Sequence, residues 1–168
     1  MKWFGWPGII PETIEEKTAI SDLLAKENCV PIWIEQDTVL QYQLFIDRHL
    51  TPLFHNYRSG HDFDVDLTNQ DLWRAYQDVN QLYVKSVNLV KNEGDLIWVQ
   101  NLYLMLVPSY VKRNDVNASV GWYLHTPFPH LEVLKTFMYC NEIVKSLLCS
   151  DVIGFHLYED ARHFYRFC

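Results

Sequence analysis

The stretch Val120-Gly121-Trp122-Tyr123-Leu124-His125-Thr126-Pro127-Phe128-Pro129 constrains the fold more than any other part of the chain. It reads as a buried strand that ends on a histidine, followed by a Pro-x-Pro turn and then an amphipathic helix. Pro127 and Pro129 fix φ and lack an N–H, so they stop the strand and bias Thr126 and Phe128 to extended geometry. His125 is therefore held at a strand's carboxyl end, where open α/β sheets bind ligands. The plainer alternative is a histidine that only hydrogen-bonds its own loop.

The rest of the chain repeats the strand-then-helix order. Lys2 to Trp6 reads as a short strand, with a turn at Trp6-Pro7-Gly8. A helix is expected from Glu12 to Lys26, its apolar side made of Ile14, Ala19, Ile20, Leu23 and Leu24. Cys29 to Ile34 is an apolar, β-branched strand. A helix from Gln36 to Leu50 follows, and Pro52 to Gly60 reads as irregular. Asp71 is placed to cap a helix that runs to about Lys91, with Leu72, Ala75, Tyr76, Val79, Leu82, Tyr83, Val87 and Val90 near the i, i+3, i+4, i+7 template. Asn92-Glu93-Gly94 ends it. Next come a strand from Asp95 to Gln100, a short helix to Arg113 containing Pro108, the strand 118–125, a helix over 131–149, a strand from Asp151 to Leu157, and a helix opening at Glu159 or Asp160. Short strands without polar alternation imply that both faces are covered. The expected fold is therefore α/β, a doubly wound, mostly parallel, Rossmann-like sheet in one domain.

Composition removes several function classes. Fourteen Lys and Arg against 21 Asp and Glu give a formal net charge of -7, whereas a nucleic-acid binder needs a basic face. No apolar run approaches the roughly 20 residues of a membrane span, and Met1 to Pro7 has no signal-peptide pattern. Cys29, Cys140, Cys149 and Cys168 have no CxxC spacing and read as reduced residues of a cytoplasmic protein. Aromatic residues make up 15% of the chain, with six tryptophans, which fits either a carbohydrate site or an aromatic core.

No P-loop, G-x-G-x-x-G or G-x-S-x-G segment is present. His49, His55 and His61 recur every six residues, which does not stack ligands on one helix, so no metal site is expected. Glu35 and Asp37 at a strand end have the form of glycosidase carboxylates, but paired acids in a loop are more often solvated. No cofactor is implied.

Several segments together carry a family resemblance. These are Trp6-Pro7-Gly8, Pro52-Leu53-Phe54-His55-Asn56-Tyr57, Leu72-Trp73-Arg74-Ala75-Tyr76-Gln77-Asp78-Val79-Asn80, Gly121 to Pro129, Val152-Ile153-Gly154-Phe155-His156 and Ala161-Arg162-His163-Phe164. Collinear over nearly the whole chain, they resemble the trehalose-6-phosphate synthase family of retaining glycosyltransferases. Members of that family join glucose from UDP-glucose to glucose 6-phosphate. The resemblance implies the amino-terminal, acceptor-side half of a two-domain GT-B enzyme, with residues 1–168 an incomplete part of it. The family's upstream strand and glycine-rich loop, and its UDP-glucose-gripping half, are expected to lie outside these residues. Sugar phosphate, UDP-glucose and the subunits of a trehalose synthase complex are the implied partners.

The departures from that family are specific. Its W-V-H-D-Y-H-L-M segment stands here as Trp98-Val99-Gln100-Asn101-Leu102-Tyr103-Leu104-Met105. Asn101 thus replaces a sugar-contacting aspartate, losing the charge and part of the acceptor capacity. Thr51 replaces an acceptor-site tryptophan, while the acceptor-site Tyr42 and the sugar-contacting His125 are retained. The resemblance implies catalytic roles for His125 and Asn101 and substrate-binding roles for Tyr42 and Thr51. Three functions remain open at this level: a glycosyltransferase segment inactive alone, a regulatory or scaffold module for active synthase subunits, and a non-functional relic.

Overall fold

The structure is a computed structural model, and it describes residues 1–55 and 70–168. His61, and the part of the expected loop after His55, lie outside the described residues. Among the described residues, five short strands and their connecting helices follow the alternating order of the sequence. Strand β1 (Trp3–Gly5) leads through α1 (Ile14–Lys26) to β2 (Cys29–Pro31). After α2 (Gln36–Phe45), α3 (Thr51–Phe54) and the long α4 (Gln70–Val90) come β3 (Leu96–Gln100), α5 (Val107–Asn114) and β4 (Ser119–Leu124). The chain closes with α6 (Leu131–Leu134), α7 (Cys140–Leu147), β5 (Val152–Phe155) and α8 (Tyr158–Phe167).

Every strand pair is parallel, but the pairs fall into two sheets. β1 pairs with β2, and a three-stranded sheet runs in the order β3–β4–β5. One face of β3–β5 is packed under helices: Val99, Val120, Trp122 and Leu124 are all buried. The other face is open, with Leu96 62% and Val152 55% exposed. Covering of both faces, expected from the lack of alternation, therefore holds on the helix side only. The open face carries aromatic rings laid flat over glycines. A Cβ on Gly121 would lie 2.5 Å from the Trp98 ring, and one on Gly154 would collide with Tyr123. Glycine is required at both positions because a neighbouring strand's ring occupies the place of a side chain.

Helix α4 buries Leu72, Ala75, Tyr76, Val79 and Val87, as its periodicity predicts, and adds Trp73, Asn80 and Val84. Helix α1 differs. Its start is capped by Thr13, whose Oγ1 accepts the Glu16 N–H, yet none of its residues is buried and Ile14 and Leu23 are largely exposed. Of its apolar stripe, Ile20 and Leu24 are half-buried where α1 meets β2, and Ile14, Ala19 and Leu23 stay exposed.

Two helix boundaries depart from the sequence reading. Helix α2 does not stop before Pro52. It widens into a π turn over Ile46–Leu50 and continues as α3 to Phe54. Pro52 has no N–H, and its ring would collide with the carbonyl four residues back in a regular α-helix. The π turn moves the bonding, so that Thr51 N–H reaches Ile46 C=O. The helix expected over 131–149 is split into α6 and α7 by residues 135–139. Phe137 is buried there, and Tyr139 stacks on Trp73 with ring centres 4.1 Å apart. Aromatic packing outweighs the weak helix preference of Thr136, Phe137 and Tyr139.

Candidate functional site

Strands β3 and β4 are neighbours in register, with Gln100 opposite Tyr123. Asn101 and His125 therefore leave the sheet at the same carboxyl edge. At that edge the Asn101 N–H donates to Tyr123 C=O at 2.7 Å, and the Trp122 indole N–H donates to Asn101 C=O at 2.9 Å.

Asn101 is held in an unusual backbone state, with φ 61 and ψ -166. That region is essentially confined to glycine, and such strain gathers at functional sites. One backbone hydrogen bond to β4, the bond from the Trp122 indole and the loop that follows hold it there. Its side-chain Oδ1 is buried and has no hydrogen-bond partner, and neither has the buried Thr126 Oγ1 beyond the end of β4. A ligand hydroxyl is the kind of group that would satisfy both.

His125 is exposed and lies against Gln100, its Nε2 2.6 Å from Gln100 Oε1. An amide oxygen only accepts, so Nε2 donates in this pair, and Nδ1 is the ring nitrogen left facing away from Gln100. The Tyr123 ring lies 4.8 Å away, and Tyr123 Oη is 3.4 Å from Nδ1 of His156, just past the end of β5. The structure pairs His125 with Gln100, not with Asn101.

The turn after His125 is clamped by α8. Between Pro127 and Pro129, Phe128 holds the one backbone N–H, and it donates to Oδ1 of the buried Asp160 at 2.9 Å. His163 Nδ1 donates to Phe128 C=O at 3.3 Å. The Phe128 ring packs edge-on against Phe54, Phe155 and Phe164.

Tyr42 reaches the same edge from α2, but its hydroxyl is committed: it donates to Tyr103 C=O at 3.0 Å. Burial pushes its phenol well above the ordinary value, with neighbouring tyrosines adding to the shift. Here it anchors the 101–106 loop. Tyr76 and Asn80 do the same from α4. The Tyr76 hydroxyl donates to Leu102 C=O and accepts from Met105 N–H, and Asn80 Oδ1 accepts from Leu106 N–H. Thr51 opens α3, whose Phe54 touches the Pro-Phe-Pro turn; no side-chain hydrogen bond joins Thr51 to Asn101 or His125 among the described residues.

Sequence reading alone missed Gln100, Thr126, Tyr76, Asn80 and Asp160 as parts of this edge. Tyr76 and Asn80 had a visible signal, being polar groups four residues apart on an apolar helix stripe. Asp160 in the first turn of a helix had only the look of a capping residue.

The sequence matches the glycosyltransferase family 20 profile over residues 1–168. The chain belongs to glycosyltransferase family 20. It is 39% identical over 169 residues to the 56 kDa subunit of Saccharomyces cerevisiae alpha,alpha-trehalose-phosphate synthase [UDP-forming], covering 97% of this chain and 33% of that protein. It is 36% identical over 170 residues to a probable alpha,alpha-trehalose-phosphate synthase [UDP-forming] of Arabidopsis thaliana, covering 99% of this chain and 21% of that protein. The family 20 chain thus spans between a fifth and a third of these relatives. Among solved structures, the amino-terminal domain of Candida albicans trehalose-6-phosphate phosphatase superposes over 98% of this chain and 34% of its own, with a TM-score of 0.83 at 27% identity. A Burkholderia xenovorans alpha,alpha-trehalose-phosphate synthase in complex with glucose-6-phosphate superposes with a TM-score of 0.79 over 98% of this chain and 35% of its own. At 22% identity that likeness speaks for the fold alone. The parallel α/β architecture of this family 20 chain is that of the GT-B trehalose-phosphate synthases. Among its described residues, no helix is long and apolar enough to cross a membrane.

Proposed function

We propose that this chain forms the acceptor-side part of a trehalose-6-phosphate synthase-like glycosyltransferase and does not turn over alone. The relatives named above support glucosyl transfer from UDP-glucose to glucose 6-phosphate as the chemistry. The observation that carries the reading is Asn101, strained at a strand's end with a buried, unpartnered side-chain oxygen, one strand away from the exposed His125. In this reading Asn101 Oδ1 accepts a sugar hydroxyl, and His125 Nδ1 accepts a second one. Both act by positioning and by hydrogen bonds to the sugar, since no protein nucleophile is required of either. Tyr42 supports the loop beneath, and Thr51 lies farther along the same helical segment with no stacking face to offer.

Two measurements test this. Purified 1–168 with UDP-glucose and glucose 6-phosphate should release no UDP above background; measurable release overturns the claim that it is inactive alone. Glucose 6-phosphate should shift the His125 ring signals in an NMR titration, and His125→Ala together with Asn101→Ala should abolish the response elsewhere in the spectrum. Unmoved His125 signals at tens of millimolar sugar phosphate would remove the sugar site.

A second reading has its own support. The same fold at 27% identity is the amino-terminal domain of a protein whose name is that of a phosphatase, and the Saccharomyces relative is named as a subunit. In that reading the chain is a non-catalytic module that associates with synthase subunits. Co-purification with an active synthase that changes its glucose 6-phosphate dependence, without sugar binding by 1–168 itself, would favour it.

A further inference from the structure

Each strand of the three-stranded sheet gives way to one polar residue directly past its last position: Asn101 after β3, His125 after β4 and His156 after β5. The sugar contacts proposed for this edge use the first two. His156 closes the segment Val152-Ile153-Gly154-Phe155-His156 and has no part in them.

Register places His156 beside His125. The β4–β5 pairing runs from Gly121 opposite Val152 to Leu124 opposite Phe155. His125 and His156 are thus the next residues on two strands about 4.8 Å apart. Strand side chains alternate between faces, so Tyr123 and His125 share one face, and Gly154 and His156 share one. The contacts show that it is the same face. Gly154 has no side chain, and the Tyr123 ring lies in the place of one. From there the ring meets both histidines. Its centre is 4.8 Å from that of the His125 ring, and its Oη is 3.4 Å from His156 Nδ1. Both imidazoles are exposed at this edge. Each turns one nitrogen to a protein partner, His125 Nε2 to Gln100 and His156 Nδ1 to Tyr123. The other nitrogen of each has no hydrogen-bond partner among the described residues.

We propose that His156 contacts the ligand, and that His125 and His156 together hold two neighbouring hydroxyls of a pyranose ring. The inference rests on the sugar-contacting role proposed for His125. The Tyr123 hydroxyl donates to His156 Nδ1, which leaves the Nε2–H of His156 as a donor. His125 supplies the opposite: its Nε2 donates to Gln100, and its Nδ1 accepts. One acceptor beside one donor matches a vicinal diol. One hydroxyl donates to His125, and the oxygen of the other accepts from His156. An ionised phosphate offers acceptors only and would set an oxygen against the His125 acceptor. The pair therefore takes the ring hydroxyls of a sugar phosphate and not its phosphate. Tyr123 acts through His156 as a positioning residue, and Gly154 gives its ring the room to do so.

The test is NMR of the side-chain nitrogens in chain 1–168 with isotope-labelled histidines, at about pH 8, above the ordinary imidazole range. Before any ligand is added, His156 should carry its proton on Nε2, and Tyr123→Phe should turn it into a mixture of tautomers. A His156 tautomer that Tyr123→Phe leaves unchanged overturns the arrangement. Glucose 6-phosphate should shift both His125 and His156, glucose should shift the same two rings at higher concentration, and inorganic phosphate should shift neither. His156→Ala should weaken glucose 6-phosphate binding by about three- to tenfold, the share of one hydrogen bond, and His156→Gln, which keeps an N–H donor, should recover most of it. Because His156 is exposed, the melting temperature should stay within about two degrees in both variants. Shifts at His125 with His156 unmoved, or a His156 response to inorganic phosphate equal to that with the sugar phosphate, overturn this proposal and leave the role of His125 standing. An unmoved His125 removes both.

Discussion

Asn101 is where local energetics and chemistry oppose each other most directly. A residue with a Cβ in its backbone region costs about 1–3 kcal/mol. A backbone hydrogen bond to Tyr123 and one from the Trp122 indole fix it there, and its Oδ1 is buried without a partner. Asn101→Gly should therefore raise stability in chemical denaturation by about 1–2 kcal/mol, the strain relief less the entropy cost of glycine. Sugar-phosphate binding by NMR should disappear in the same variant. A variant no more stable than wild type would show that the strain is not stored at this residue. The Gln100–His125 contact is the counterpart on the exposed side: it orients the ring without burying it.

At the scale of elements, the Pro-Phe-Pro turn and α8 act as one unit. Pro127 and Pro129 remove two donors, so the turn's bonding rests on Phe128, and α8 satisfies both of its backbone groups. Asp160→Ala leaves the Phe128 N–H buried and unpaired and should cost about 1–3 kcal/mol. Asp160→Asn keeps an acceptor oxygen and should lose much less; equal losses in urea titrations of the two variants would contradict the role given to this bond. The sequence showed the strand ending at His125 and the turn after it, because proline and an apolar run are local signals. It showed the collinear motifs too, and with them the α/β fold. It did not show which group takes the Phe128 N–H, since Asp160 is 32 residues away. Nor did it show the break at 135–139, because the stacking of Tyr139 on Trp73 is a long-range contact that overrides a local preference. Tyr42 was legible as a residue of the edge, but the bond of its hydroxyl to Tyr103 C=O was not.

For the whole molecule, charge and exposed apolar surface set the behaviour. Asp151 ties three elements: its Oδ2 accepts Val120 N–H at 2.8 Å, and Lys112 Nζ lies 2.9 Å away. The Val120 N–H foremost, and the Lys112 ammonium after it, hold its carboxyl below the ordinary 3.8. Asp115 is lowered likewise, first by its hydrogen bond from Lys91. A carboxyl lowered in the folded state adds stability above its unfolded value and loses it as pH falls through the folded one. Melting temperature should thus fall below about pH 4, and Asp151→Asn should flatten that slope; identical acid slopes would rule the linkage out.

The same balance bears on association. The open face of β3–β5 presents Leu96, Trp98 and Val152, and α1 presents Ile14 and Leu23, all substantially exposed. Trp98 and Val152 lie in one register row across Gly121, so they form a patch and not scattered residues. Contiguous apolar surface of this kind drives association, and a net charge of -7 opposes it only at low salt. Chain 1–168 should accordingly show concentration-dependent light scattering on heating, stronger at high ionic strength. Leu96→Lys with Val152→Lys replaces two exposed side chains without touching the helix-covered face. That double variant should cut the scattering several-fold while shifting the melting temperature by no more than a few degrees. Scattering that is unchanged in the double variant would place the association surface elsewhere, with the exposed stripe of α1 next to be tested by Ile14→Glu and Leu23→Glu.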